Sequence, residues 1–182
     1  MAEKARDWRA ALVTAYADLF DPAPGDPPSA QGWPGVGDGW RDLLERACAR
    51  IRTAIKAHGG SFRASQVSEK YGGLRFYFDG ALPPEAKVLV EEAIDLAEAR
   101  AACTCEICGE AGSLYGPGWL TTRCAQHAEG RRPEEEVKPL LRNVRVVTRF
   151  AGDRKVVRCR RYARETDSFV DVDPAALGLG EE

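Results

Sequence analysis

Residues 103–130 read CTCEICGEAGSLYGPGWLTTRCAQHAEG, and the rest of the chain is organised around them. Cys105 and Cys108 are separated by two residues, as are Cys124 and His127, and 15 residues lie between the two pairs. Two thiolates three positions apart suit a knuckle, in which a tight turn aims both sulfurs at one ion. Gly109 suits the backbone just after the second sulfur. The second pair completes a Cys3His set, the closed tetrahedral arrangement of a structural zinc (Zn2+) site; a catalytic zinc needs an open position that four good ligands do not leave. Cys103 stands two residues upstream as an alternative ligand to Cys105. A histidine in the set disfavours an iron–sulfur cluster. The intervening residues predict a hairpin, and Cys124 to Gly130 predicts a short helix.

This order of knuckle, hairpin and short helix resembles a treble-clef or zinc-ribbon module. Treble-clef folds include nucleases that depend on a histidine base. The chain has two histidines, and the one outside the ligand set, His58, sits before Gly59-Gly60, where a helix-capping role suits it. No Walker-type loop, dinucleotide-binding glycine pattern or Gly-x-Ser-x-Gly elbow is present. Glu69 and Asp79 form a candidate carboxylate pair, with solvated strand residues as the simpler reading. An HNH-like nuclease is therefore the least favoured alternative. No catalytic residue is assigned, and the sequence argues against an enzyme without deciding the matter.

Toward the N-terminus, Trp8, Leu12, Tyr16, Leu19 and Phe20 recur at helical spacing and predict one amphipathic helix from Glu3 to Phe20. The Pro/Gly-rich residues 21–39 predict a loop, with Trp33 anchoring it. A second helix is expected from Trp40 to Ala57, with Cys48 buried on its apolar face. Leu74, Phe76 and Phe78 alternate with Arg75, Tyr77 and Asp79 as a half-buried strand, joined by a tight turn at Tyr71-Gly72-Gly73 to a strand before it. Pro83 and Pro84 open a third helix whose expected inward residues are Leu89, Val90, Ala93, Ile94, Leu96 and Ala97.

Toward the C-terminus, Arg131–Glu136 reads as an exposed connection. Val144 to Arg149 and Val156 to Tyr162 predict a second hairpin around Ala151-Gly152-Asp153. The expected class is α+β: amphipathic helices packed on a β-hairpin, a treble-clef or zinc-ribbon-like module and a C-terminal β-hairpin. Four segments follow: a helical and hairpin core (1–102), a zinc-knuckle module (103–130), a basic hairpin segment (131–172) and a flexible acidic tail (173–182).

The net charge of −2 conceals a strong asymmetry. Residues 131–164 carry 12 Lys/Arg against 4 acids, while residues 165–182 carry 6 acids and no base. A hydrophobic fraction of 44% supports a core. No apolar run approaches the ~20 residues of a membrane span, and Met1-Ala2-Glu3-Lys4 opens no secretion signal. A cytoplasmic location without membrane association is expected, and clustered cysteines there read as metal ligands.

The stretch from Gln66 to Tyr77, QVSEKYGGLRFY, resembles the Q-V-K-E-K-F-G-G-L-R-F-Y segment of small uncharacterised bacterial and phage-encoded zinc-knuckle proteins. As in those proteins, Gly39-Trp40 leads the preceding helix, and C-E-x-C-G and C-x-x-H follow. The resemblance spans roughly residues 39–127, with Ser68 in place of Lys. It implies the architecture and the zinc site, and no particular activity.

The function expected first is non-enzymatic protein binding, of the inhibitor, immunity or phage accessory type. Tyr71, Gly72, Gly73, Arg75 and Tyr77 are its candidate surface. The second is nucleic-acid binding through Arg145, Arg149, Arg154, Lys155, Arg158, Arg160, Arg161 and Arg164, with Tyr162 for stacking. The competing reading pairs these arginines with the acidic tail. The oligomeric state stays open.

Overall fold

Asp7 opens the first helix, its carboxylate accepting the Arg9 backbone N–H at 3.0 Å and so satisfying an amide that a helix start leaves unpaired. The computed structural model describes residues 7–134, 139–151 and 154–179. The chain divides into two compact units, Met1–Pro133 and Glu134–Glu182, and each is mixed or all-β in its own way.

In the first unit, helix α1 (Trp8–Ala15) stops at Tyr16, where φ is −118°, and one further turn, α2 (Ala17–Phe20), follows. The single helix expected from Glu3 is therefore two pieces, and its first residues, 3–6, lie outside the described residues. Arg52 explains the break. Its guanidinium takes the Ala15 carbonyl at 2.6 Å, pairs with Asp18 and covers the Tyr16 ring at 4.1 Å. Residues 21–39 are more than a loop. Two short 3-10 turns, Pro27–Ser29 and Asp38–Trp40, flank strand β1 (Pro34–Gly35). Trp33 is packed, half-buried, against the core.

Helix α3 (Arg41–His58) buries Leu43, Leu44, Ala47, Cys48, Ile51 and Ala54 and ends at Gly59 with φ 79°. Burial pushes the Cys48 thiol up to about 12, so it stays a small apolar side chain. Strands β2 (Arg63–Lys70) and β3 (Gly73–Asp79) are antiparallel. The tight turn between them is Tyr71-Gly72, with φ of 55° and 77°; Gly73 already belongs to β3. Positive φ at both positions matches the twist of the flanking strands. Parallel pairing of β1 with β2 completes the order β1-β2-β3. Helix α4 (Pro84–Ala101) runs antiparallel to α3, with Arg100 at its end 3.4 Å from Asp42 at the start of α3. Its buried stripe is Ala86, Val90, Ala93, Ile94, Leu96, Ala97 and Ala101. Leu89, expected inside, is 46% exposed because it falls on the edge of that stripe.

After α4, strands β4 (Ser113–Gly116) and β5 (Thr121–Arg123) form the expected hairpin, and β6 (Arg132–Pro133) adds to β4. The expected exposed connection at Arg131–Glu136 therefore begins as a strand, and residues 135 and 136 lie outside the described residues. The short helix expected after Cys124 is one 3-10 turn, Ala125–His127.

The second unit is an antiparallel sheet in the order β7 (Val144–Ala151), β8 (Arg154–Ala163), β9 (Ser168–Val172). The expected hairpin thus gains a third strand, drawn from residues that carry acidic charge. Positions 152 and 153 of its turn lie outside the described residues. Within the expected acidic tail, Ala175–Leu177 forms a 3-10 turn and Leu177 is buried, while residues 180–182 lie outside the described residues.

Candidate metal centre

The knuckle is built by its own backbone. The Cys105 N–H donates to the Glu110 carbonyl at 2.8 Å, and the Gly109 N–H returns to the Cys105 carbonyl at 2.9 Å. Gly109 adopts φ 81°, which a side chain would resist. Cys124 precedes the 3-10 turn and His127 closes it, with the His127 N–H donating to the Cys124 carbonyl at 3.0 Å.

These two turns bring Cys105, Cys108, Cys124 and His127 together, with all four ligand atoms within 4.8 Å of one another. Cys105 Sγ lies 3.6 Å from His127 Nδ1, Cys124 Sγ 3.2 Å from the same nitrogen, and Cys108 Sγ 3.7 Å from Cys124 Sγ. Metal–sulfur bonds of about 2.3 Å and metal–nitrogen bonds of about 2.0 Å give tetrahedral edges of about 3.8 Å and about 3.6 Å. The four side chains are thus a set able to hold a metal ion. Burial opposes a Cys105 thiolate, but the backbone N–H groups of Cys108, Cys124 and Ile107 outweigh it and bring its pKa down to about 6. At Cys108 the Glu110 N–H favours the thiolate, yet burial and the neighbouring Cys105 and Cys124 sulfurs together push the pKa up. Cys103 stands outside the set, its sulfur 3.3 Å from the Arg100 carbonyl and 3.6 Å from that of Ala99 at the end of α4.

The knuckle is seated on the first half of the chain. Glu106 carries the seat. Its N–H donates to the Thr122 carbonyl at 3.1 Å, and its carbonyl accepts the Gly39 N–H at 2.8 Å. One carboxylate oxygen accepts the Gly37 N–H at 2.9 Å, and the other accepts Arg123 Nη1 at 2.8 Å. Both side chains of that ion pair are largely buried, 12% exposed for Glu106 and 17% for Arg123. Trp40, fully buried, donates its indole N–H to the Thr104 carbonyl at 2.9 Å. Gly39 must lack a side chain, since a Cβ there would lie 2.3 Å from the Cys105 carbonyl oxygen and 2.4 Å from the Gly109 nitrogen. The Thr122 hydroxyl donates to the Gly72 carbonyl at 2.6 Å. Residues of the 1–102 and 103–130 segments are therefore joined by hydrogen bonds at both Gly39 and Gly72.

Sequence reasoning missed Glu106, Arg123, Gly37 and Thr122. Glu106 and Arg123 each adjoin a ligand, but nothing in their spacing marks them as partners.

The hairpin candidates divide by exposure. Tyr71 is 67% exposed at the turn and Tyr77 is 52% exposed on the outer face, beside Gln66 across the ladder. Gly72 is buried against Leu114, and Arg75 is half-buried, its guanidinium bonded to the Leu74 carbonyl at 2.9 Å. Burial raises the pKa of Glu98 on α4, against the pull of Arg75 and the Phe76 N–H. Glu69 and Asp79 form no pair. Glu69 accepts the Gly72 N–H at 2.5 Å, and Asp79 faces Arg63 at 3.6 Å. His58 is exposed at the end of α3.

In the second unit the candidates do not share one face. The register places Arg145 beside Arg160, on the side that also carries Arg158 and Tyr162. Arg161 faces the other side, level with Val144, because neighbours on a strand alternate. Arg158 and Arg160 both approach Asp171 on β9, at 3.1 and 3.7 Å, and Arg160 lies over the Phe169 ring. Tyr162, expected to be available for stacking, is instead buried, with its hydroxyl donating to Asp167 at 2.6 Å and its ring edge-on to Phe169. The side chains of Arg149, Arg154 and Lys155 lie outside the described residues. Among the described residues no helix is long and apolar enough to cross a membrane. No protein-family model, curated protein or solved structure matches the chain.

Proposed function

We propose that the chain is a non-enzymatic binding protein whose Cys3His site holds a structural zinc ion and whose β2–β3 hairpin meets a protein partner. The ligand geometry supports the metal. Three Cys and one His whose ligand atoms gather within 4.8 Å of one another suit zinc, and four such ligands leave no open position for substrate. Zinc would be held by Cys105, Cys108, Cys124 and His127, and it would tie the knuckle to the turn that follows β5. The order of knuckle, hairpin and closing turn favours a treble-clef arrangement, and the similarity to bacterial and phage zinc-knuckle proteins is part of the same reading.

One observation carries the binding surface. The hydroxyl of Thr122, two residues before a ligand, holds the carbonyl of Gly72 in the hairpin turn. Tyr71, beside it, presents a largely exposed aromatic ring at φ 55°. A bulky residue held at positive φ in a turn costs stability, and exposed tyrosines are enriched at protein interfaces. A site of this kind suits an inhibitor, immunity or phage accessory role in the cytoplasm.

Elemental analysis of the purified chain should give one zinc per molecule. A tagged chain should retain a stoichiometric protein from its native host, and Tyr71→Ala with Tyr77→Ala should lose it. Absence of zinc, or capture that is indifferent to both tyrosines, would overturn the corresponding half. Nucleic-acid binding by the arginine-rich sheet is the less supported alternative, because Asp171 already faces two of its arginines and Tyr162 is buried.

A further inference from the structure

The four ligands are unevenly shielded. Cys105 is fully buried, whereas Cys108 is exposed and Cys124 and His127 are half-buried. Oxidants select cysteines by exposure and thiolate character, and a cysteine that ligates a metal is held as the thiolate. Cys108 meets both conditions, and it has a second sulfur to react with. Its Sγ lies 3.7 Å from Cys124 Sγ on the other turn, so a disulfide of about 2.05 Å asks the two to approach by about 1.7 Å. Cys105 is the poorer candidate, because its sulfur is out of solvent and its N–H and carbonyl are both bonded within the knuckle. Cys103 is turned to the Arg100 and Ala99 carbonyls.

We infer that the Cys3His site is a peroxide-responsive switch, in which Cys108 and Cys124 close a disulfide and the metal ion is released. This inference rests on the metal reading above. The Cys108 thiolate attacks the O–O bond of the peroxide, giving a sulfenic acid and hydroxide. The Cys124 thiolate then attacks that sulfur, forming the S–S bond and expelling a second hydroxide. The two sulfurs give up two electrons in all, the peroxide takes them, and two solvent protons convert the hydroxides to water. Cys105 and His127 remain, half of a tetrahedral set.

The effect reaches beyond the site. Glu106, between Cys105 and Cys108, bonds to Gly37, Gly39 and Thr122, and Thr122 in turn holds the Gly72 carbonyl. Closing the disulfide therefore loosens the support of the β2–β3 turn. Thiol reductants reopen it, so in a reducing compartment the metal-free form lasts only as long as the oxidant does.

Hydrogen peroxide applied to the full chain, with zinc content measured beforehand and a chromogenic chelator present, tests the switch. Zinc release should accompany the loss of two of the six thiols, and peptide mapping should find Cys108 joined to Cys124. Dithiothreitol with added zinc should restore the starting form. Cys103→Ser should release zinc at the same rate. Cys108→His, which keeps a four-ligand structural set, should retain zinc and release it about tenfold more slowly or less. Zinc that stays bound while thiols are consumed, a disulfide through Cys105 or Cys103, or unslowed release from a zinc-loaded Cys108→His would each overturn the inference. The map of the unaltered chain decides even where Cys108→His does not load. A chain purified without zinc would overturn the metal reading instead, at the first measurement and before any peroxide is added.

Discussion

The hairpins β2–β3 and β7–β8 alternate in the same manner along the sequence, yet different forces fix them. In β2–β3 the inner residues Val67, Leu74 and Phe76 are at most 3% exposed, and the turn is bonded to the metal module through Thr122. In the β7–β8–β9 sheet, Val146, Val156 and Val170 are 43–54% exposed, and two arginines gather around one carboxylate at the surface. Buried apolar area stabilises by roughly 25 cal/mol per Å², whereas an exposed ion pair contributes about 0–1 kcal/mol. Alternation foretells a strand; it does not foretell what covers each face.

The sharpest way to break this comparison is to strip the Cys3His set of the ion proposed for it. All four tryptophans (Trp8, Trp33, Trp40 and Trp119) lie in the first unit, so their fluorescence follows that unit alone. A strong chelator should lower its thermal midpoint by about 10 °C or more, equivalent to several kcal/mol. An unchanged midpoint would show that the hydrogen-bonded seat, rather than the metal, fixes the knuckle.

Gly39→Ala tests the seat with the ligands intact. Its Cβ would meet backbone atoms that cannot rotate away, and the expected cost in a urea melt is about 3 kcal/mol. Glu106→Ala removes the acceptor of the Gly37 amide and one half of a largely buried ion pair. About 2 kcal/mol is expected, below the range for a fully buried pair because both groups keep some solvent contact; Glu106→Gln should recover part of it. Asp171→Asn is the smallest change. It should cost less than about 1 kcal/mol, and a larger loss would mean that the second unit is held by its surface charges after all.

The residues that were legible in the sequence are those with local periodicity. Helices α3 and α4 follow from apolar spacing, the Tyr71-Gly72 turn from a glycine where φ must be positive, and the ligand set from two x2 pairs. What escaped depends on distant partners. Strand β1 is only Pro34-Gly35, too short to alternate, and it exists because β2 offers a free edge. Strand β9 was hidden because the acidic charge of its surroundings suggests solvation, whereas Asp171 faces arginines across the ladder. Arg160 and Arg161 read as one basic patch in sequence and separate onto two faces in a sheet. Glu106 escaped because its partners are 17 and 69 residues away.

Those 69 residues have a practical consequence. The amide protons of Gly37 and Gly39 end on Glu106, inside the knuckle, though neither glycine is near a ligand in sequence. Deuterium uptake at these two amides should therefore slow when the ion is bound and quicken when it leaves. They form an intrinsic gauge of occupancy, readable without a label, a dye or a change at any cysteine.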